Sequence, residues 1–252
     1  MSTFLSVIIP CYNEEENLKR GVLSEVYNYL KTKDFEWEVI ISNDGSTDRS
    51  KELVLEKIKN WKGFHFLDNP HGGKPSALLY GIKAAKGKYV LFTDMDQSTP
   101  IGELDKLLPE IGEENSIVIG SRGMNRKNFP FYRKLGAIVF SSFRRLLILP
   151  EIADTQCGFK LFESELLKKA FPRLQFFQRE ERTTGWKVTS YDVELLHILK
   201  KMGGKIKEKV VVWNDEDTSK SKGGGLMRYF RESKEMLMQI LRVKLNDLRG
   251  MY

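Results

Sequence analysis

Short apolar runs alternate with longer stretches of mixed polarity through the first half of the chain. Leu5 to Ile9, Glu38 to Ser42, Phe64 to Leu67, Tyr89 to Thr93 and Ser116 to Gly120 are rich in β-branched and aromatic residues and predict strands. Between them, helical spacing of apolar positions predicts helices near Glu15 to Lys31, Thr47 to Asn60, Pro75 to Ala85 and Ile101 to Ile111. Strand and helix in strict alternation specify an α/β fold, a doubly wound, Rossmann-like and mostly parallel sheet flanked by helices. Ligands bind such sheets beyond the carboxyl ends of the strands. Three polar clusters fall there, Pro10 to Glu14, Asn43 to Asp48 and Asp94 to Ser98, and they are expected to converge on one site.

The second half is less regular. Its pattern predicts a helical stretch from Pro130 to Leu149, a strand near Gly158 to Phe162, a helix from Tyr191 to Met202 and a strand from Ile206 to Trp213. Lys220 to Gly225 has the composition of a loop, and the last helix is expected from Leu226 to about Leu248. With no internal repeat and no inter-domain linker, the expectation is a catalytic domain over 1–225 and an amphipathic, membrane-associating C-terminal helix over 226–252.

Composition narrows the class. A chain of 252 residues with 41% hydrophobic content can bury a sizeable core, and a formal charge of +7 suggests an anionic partner. Cys11 and Cys157 form no C-x-x-C pair, and His65, His71 and His197 are too scattered for a zinc site, so a reducing, cytosolic setting is expected. Met1-Ser2-Thr3-Phe4 has no basic n-region or signal-like apolar stretch. The apolar segment from Leu135 to Pro150 is interrupted by Arg144 and Arg145 and falls short of the ~20 residues that spanning requires. Any membrane contact is therefore expected to be peripheral, on the inner, cytoplasmic face.

Asp94-Met95-Asp96 follows the apolar run Tyr89 to Thr93. Strand alternation would send both carboxylates to one side, where they can hold one hard divalent cation, Mg²⁺ or Mn²⁺; a solvated strand end is the plainer alternative. At the first strand's exit, Pro10 ends the strand, Tyr12 offers a ring for stacking, and Asn13 with Glu14 offers hydrogen bonds. In Ser42-Asn43-Asp44-Gly45-Ser46-Thr47-Asp48, Asp44 can bind a ribose or base edge, or simply make the turn while Ser46 or Thr47 caps the next helix.

In order and spacing, V-I-I-P-C-Y-N-E, S-N-D-G-S-T-D, G-G-K-P-S-A-L-L-Y-G, L-F-T-D-M-D and I-G-S-R resemble the inverting family 2 glycosyltransferases with the GT-A fold. Asp154 to Phe162 (D-T-Q-C-G-F-K-L-F), Tyr191 to Leu196 and Thr218-Ser219-Lys220 are similar to the dolichyl-phosphate glucosyltransferase and mannosyltransferase group, and the wording is closer to the glucosyl branch. The resemblance places Pro10, Tyr12, Asn13, Glu14, Asp44, Lys74 and Asp94 at the nucleotide, Asp94 and Asp96 at the metal, and Arg122, Arg133 and Lys220 near the donor diphosphate or acceptor phosphate. It also implies a nucleotide-sugar donor, UDP-glucose favoured, and a polyprenyl or dolichyl phosphate acceptor. Asp154, Gln156, Asp192 and Glu194 would line the sugar or acceptor side. The chain departs from both branches after the acidic pair, where Gln97-Ser98 stands. It also lacks the hydrophobic spans that many relatives carry.

The charge is unevenly spread. From Asn115 to Pro150 there are seven basic residues (Arg122, Arg126, Lys127, Arg133, Lys134, Arg144 and Arg145) and no acidic one, interleaved with aromatic and aliphatic side chains. From Lys220 onward, eight basic residues face Glu232, Glu235 and Asp247. Both stretches fit a helix lying on anionic lipid, and equally a core helix with a basic outer face. No nucleic acid partner is expected. The alternatives are a GDP-mannose donor, transfer to a hydroxyl acceptor of a glycolipid or polysaccharide with Asp192 or Asp154 as base, and a non-catalytic basic module that binds membrane or nucleic acid.

Overall fold

The strands are β1 (Leu5–Cys11), β2 (Trp37–Asn43), β3 (Phe64–Asp68), β4 (Tyr89–Phe92), β5 (Ile117–Ser121), β6 (Lys160–Glu163) and β7 (Ile206–Val210). They are seen in a computed structural model that describes residues 3–123, 142–178, 191–214 and 226–252, excluding the side chains of 226–233 and 236. The strands form one sheet in the order β3-β2-β1-β4-β6-β5-β7. β1 pairs in parallel with β2 and β4, β2 with β3, and β5 with β7, whereas β6 runs antiparallel between β4 and β5. The sheet is thus mostly parallel, with one reversed strand inserted beside the central β4.

Period-two alternation along buried strands explains the two cores. Ile8, Ile40, Val90 and Phe92 face one side, where α4 (Lys74–Ala84), α7 (Ser164–Ala170), α9 (Tyr191–Lys201) and α10 (Leu226–Leu248) supply Leu78, Ile82, Leu167, Leu195, Leu199, Ile240 and Val243. Val7, Ile9, Val39, Ile41 and Leu91 face the other side, under α2 (Val22–Leu30), α3 (Ser50–Ile58) and α5 (Leu104–Leu107).

Several boundaries differ from the pattern, each for a local reason. The single helix expected from Glu15 to Lys31 is two, α1 (Glu15–Lys19) and α2, because Gly21 takes φ +87° between them. The helix expected from Ile101 to Ile111 is only one turn of α-helix between two 3₁₀ turns, the second of which contains Pro109. The strand expected to reach Thr93 ends at Phe92. Of the stretch Pro130 to Leu149, residues 142–147 (α6) are helical, and 124–141 lie outside the described residues.

The last helix matches its expected bounds, Leu226–Leu248. Over its described side chains it packs on the core: Ile240 and Val243 are fully buried, and Gln239 and Asn246 nearly so. Its polar anchor is Glu194 on α9. Glu194 Oε1 accepts the Tyr252 hydroxyl at 2.8 Å and the Gln175 backbone N–H at 2.9 Å.

Candidate active site

The loops that leave β1, β2, β3 and β4 at their carboxyl ends are stitched into one cleft wall. Asp44 N donates to the Cys11 carbonyl at 2.8 Å, which ties the first two loops where their strands end. Asn13 sits at φ +55°, a conformation that Asn tolerates better than most side chains, and so turns its amide across the gap. Its Oδ1 accepts the Thr47 N–H at 2.8 Å, and its own N–H donates to Ser46 Oγ at 3.0 Å. Glu14 N donates to Ser50 Oγ at 2.7 Å. Among the described contacts Asn13 is therefore the clamp between the β1 and β2 loops, and Ser46 and Thr47 act through it.

Asp44 ties in the third loop. Its Oδ1 accepts the Gly72 N–H at 2.8 Å and its Oδ2 the Gly73 N–H at 2.9 Å, while His71 Nδ1 lies 2.9 Å from Oδ2. The Asp44 carboxylate, 3% exposed as a residue, thus shapes the approach to α4. His71 in turn stacks on Tyr12, with ring centroids 4.6 Å apart and planes 23° from parallel. A flat aromatic pair stands at the rim beside Pro10, which pairs with Ser42 in the sheet.

At the first position of α4, Lys74 reaches across to ion-pair with Oδ1 of Asp94. Asp94 and Asp96 are positioned by a turn beyond β4, not by strand alternation as the sequence suggests. Gln97 adopts φ +51°, its N–H bonds the Asp94 carbonyl at 3.2 Å, and its amide Nε2 bonds the same carbonyl at 2.8 Å. Met95, 2% exposed, plugs the turn into the core, and Asp96 Oδ1 caps the turn by accepting the Ser98 N–H at 2.9 Å. Gln97 and Ser98 are the residues that hold this turn. On the far side Gly158 closes against Asp94: a Cβ there would lie 2.1 Å from Oδ2.

Negative charge is concentrated at this point. Burial raises the pKa of Glu14, and Asp96 and Asp94 raise it further; burial and then Asp94 raise that of Asp96. Burial acts to lower the Lys74 pKa, but Asp94, with help from Asp192 and Asp96, outweighs it and holds the ammonium charged. Glu14, Lys74, Asp94, Asp96 and Asp192 therefore share one electrostatic environment. Their oxygen donors and surplus negative charge suit a hard divalent cation, with Asp94 and Asp96 the natural ligands. The described residues contain no group of three or more His, Cys, Asp or Glu side chains spaced to enclose a metal, so among them Asp94 and Asp96 are the candidate pair.

A second charged layer lies behind. Arg122 grips Asp154 through Nε at 2.7 Å and Nη2 at 2.8 Å, a bidentate fork that stands over the Trp213 ring. Burial pushes the Asp154 carboxyl up, but Arg122 outweighs it and holds the group well below the usual carboxylate range. Glu208 supports the loop by accepting the Ala153 and Asp154 N–H groups, each at 2.7 Å. Gln156 donates its backbone N–H to Asp154 Oδ1 at 2.9 Å. Lys160, with no exposed side-chain surface, places Nζ 2.6 Å from Asp192 Oδ1 and also bonds the Cys157 carbonyl.

Cys11 can be set aside as a nucleophile: burial and then Glu14 push its thiol up to about 12, so it stays protonated. Arg133 and Lys220 lie outside the described residues. Three participants went unassigned in the sequence. Gly158 and Lys160 both lie inside the D-T-Q-C-G-F-K segment, and His71 directly precedes Gly72-Gly73-Lys74. Their motifs were legible and their contacts were not.

The chain matches the glycosyl transferase family 2 domain over residues 6–171. It is 38% identical over 240 residues to a dolichyl-phosphate beta-glucosyltransferase of Trichomonas vaginalis, covering 90% of this chain and 71% of that protein. The dolichyl-phosphate beta-glucosyltransferase of Saccharomyces cerevisiae is 29% identical over 272 residues, covering 99% and 76%. Among solved structures, glucosyl-3-phosphoglycerate synthase from Mycobacterium tuberculosis in complex with Mn²⁺, UDP-glucose and glycerol 3-phosphate superposes with a TM-score of 0.61 at 17% identity, covering 96% of this chain and 80% of that one. The family domain takes in six of the seven strands, β1 to β6, together with Lys74, Asp94 and Asp96, and on that ground the chain belongs to glycosyl transferase family 2, an enzyme with the GT-A fold.

Proposed function

We propose that the protein catalyses metal-dependent, inverting transfer of glucose from UDP-glucose to a dolichyl or other polyprenyl phosphate. The observation that carries this reading is the pairing of Lys74 with Asp94, next to Asp96, on the segment that also carries His71 stacked against Tyr12. The named activity of the relatives at 29–38% identity supports the sugar and the acceptor.

A Mg²⁺ or Mn²⁺ ion held by Asp94 and Asp96 would neutralise the leaving diphosphate as a Lewis acid. Lys74 supplies a further positive charge to the same phosphates. The rim formed by Pro10, Tyr12 and His71 receives the base, while Asn13 and Asp44 hold that rim in register. Glu14, whose pKa burial and its acidic neighbours raise, offers a hydrogen bond at the nucleotide. The acceptor phosphate monoester, with a second pKa near ~6, is already largely ionised at neutral pH and needs no strong base. That fits the second layer, in which Asp154 is bound by Arg122 and Asp192 by the buried Lys160; these pairs position the loop that carries Gln156 and Gly158. Arg122, together with Arg133 and Lys220 from outside the described residues, balances the acceptor phosphate.

The acceptor is a lipid, and the chain is proposed to work peripherally at the cytoplasmic face of a membrane. Among the described residues no helix is long and apolar enough to cross one. The outer face of α10 exposes Met238, Leu241, Leu245 and Leu248, spaced i, i+3, i+7 and i+10 and flanked by Lys234, Glu235 and Arg249. An apolar stripe with a cation at each end matches the chemistry of a lipid surface. The α10 segment 226–252 thus combines a core-facing side with a lipid-facing side. Buried, unpaired Cys11 and Cys157 suit a reducing compartment.

Incubation with UDP-glucose, Mn²⁺ and a short polyprenyl phosphate, with and without EDTA, tests the reading. A metal-dependent glucosyl phospholipid with inverted anomeric configuration is expected. Absence of such a product with every nucleotide sugar tried would overturn it.

A further inference from the structure

Lys74 is a cation that faces Asp94, and its position is unusual for a lysine. It occupies the first turn of an eleven-residue helix, where the helix dipole disfavours positive charge, and its partly exposed side chain places Nζ on Asp94 Oδ1. Gly158 closes off the other side of the same carboxylate, with room for no side chain. Asp94 is therefore held between a fixed backbone wall and a resident ammonium. Asp192 and Asp96 also lie within electrostatic range of this ammonium. A divalent ion that took up Asp94 would have to displace this ammonium or share the carboxylate with it. Either costs affinity while Lys74 remains on Asp94.

We infer that Lys74 is a built-in counter-ion that competes with the divalent metal for Asp94, so that tight metal binding requires a nucleotide diphosphate to draw Lys74 away. The inference rests on the proposed metal site at Asp94 and Asp96. It adds an order to it: the diphosphate and the metal bind cooperatively, and the protein alone holds the metal weakly. By linkage, the factor by which UDP tightens Mn²⁺ equals the factor by which Mn²⁺ tightens UDP on the protein.

The test is titration of the full chain with Mn²⁺, read from the electron paramagnetic resonance signal of the free ion, with and without UDP. Wild type is compared with Lys74→Met, Lys74→Gln and Asp94→Asn, each checked for folding by its thermal transition. Without UDP, either Lys74 variant is expected to bind Mn²⁺ on the order of tenfold more tightly than wild type, the scale set by removing a unit charge beside the site in a partly hydrated cleft. The further gain on adding UDP should shrink in these variants, and Asp94→Asn should bind weakly throughout. Unchanged or weaker Mn²⁺ affinity in folded Lys74 variants would overturn the inference while leaving the metal site standing. No Mn²⁺ binding by wild type even with UDP would overturn the metal site and the inference together.

Discussion

Gly158 leaves no room for a side chain against Asp94: a Cβ added there would come within 2.1 Å of Oδ2 and 2.8 Å of the carboxyl carbon. Backbone from the segment before β6 thereby fixes the position of a carboxylate on the turn after β4, strands that are direct antiparallel neighbours. The glycine is needed for space and not for an unusual dihedral.

Gly158→Ala therefore probes the site more than the fold. The alanine methyl must push the Asp94 carboxylate aside, and displacement of a metal-binding group by about an ångström costs on the order of a hundredfold in rate. The expected result is a fall in kcat of that order with a thermal midpoint close to that of wild type. Full activity in this variant would show that the placement of Asp94 does not matter to transfer.

Arg122 and Asp154 form a mostly buried, bidentate pair, and removing one partner strands the other. Asp154→Asn is expected to cost about 3–5 kcal/mol at neutral pH. The pH dependence has a defined sign. The Asp154 pKa is lowered on folding, so its contribution is present above the ordinary Asp value of 3.8 and is lost as pH falls below it. Denaturant unfolding of wild type and variant should thus show a gap that is wide at neutral pH and narrows in acid. A gap that widened in acid would contradict the pairing.

How much of this was legible in the chain differs by element. The five N-terminal strands were read almost to the residue, because buried parallel strands advertise themselves as apolar runs. The helices over 15–31 and 101–111 were read too long, since apolar spacing persists across Gly21 and Pro109 while the backbone does not. α7 escaped because its seven residues carry little periodicity. In the site, Asp94 and Asp96 stood out as a motif, yet the turn that presents them depends on Gln97 at positive φ, which no spacing rule marks. The partners Gly158, Lys160 and His71 come from other strands and loops. The tasks of Gly158 and Lys160 arise from the sheet order β4-β6-β5 and that of His71 from the order β3-β2-β1, long-range facts that local pattern does not encode.

Lys160 and Asp192 bear on the choice of acceptor. A hydroxyl acceptor would call on a carboxylate base such as Asp192, so Asp192→Asn would separate the two acceptor classes if the aspartate were free to change. It is not: Nζ of the fully buried Lys160 lies 2.6 Å from its carboxylate, and neutralising Asp192 alone leaves that cation unpaired. The informative protein is the double variant Lys160→Met with Asp192→Asn, expected to recover stability lost by the single Asp192→Asn change. Transfer to a polyprenyl phosphate by the double variant should persist within about tenfold of wild type, the loss being one of positioning. A loss of a thousandfold or more, with the fold intact by thermal unfolding, would instead identify Asp192 as a base.

The exposed stripe on α10 makes the last prediction, because core and surface are separated on one helix. Ile240 and Val243 are fully buried, whereas Leu245 and Leu248 are 51% and 72% exposed. Replacing the exposed pair, Leu245→Asp with Leu248→Asp, removes no core contact and should move stability by no more than about 0.5 kcal/mol per site. On a lipid surface each leucine is worth about 1.5–3 kcal/mol when buried, and each added aspartate is repelled by anionic headgroups. Sedimentation with vesicles containing anionic lipid should therefore show binding reduced by a hundredfold or so relative to wild type. Transfer to a short, water-soluble polyprenyl phosphate should be unchanged, which separates docking from chemistry. Equal sedimentation of both proteins would mean that this face of α10 does not meet the membrane.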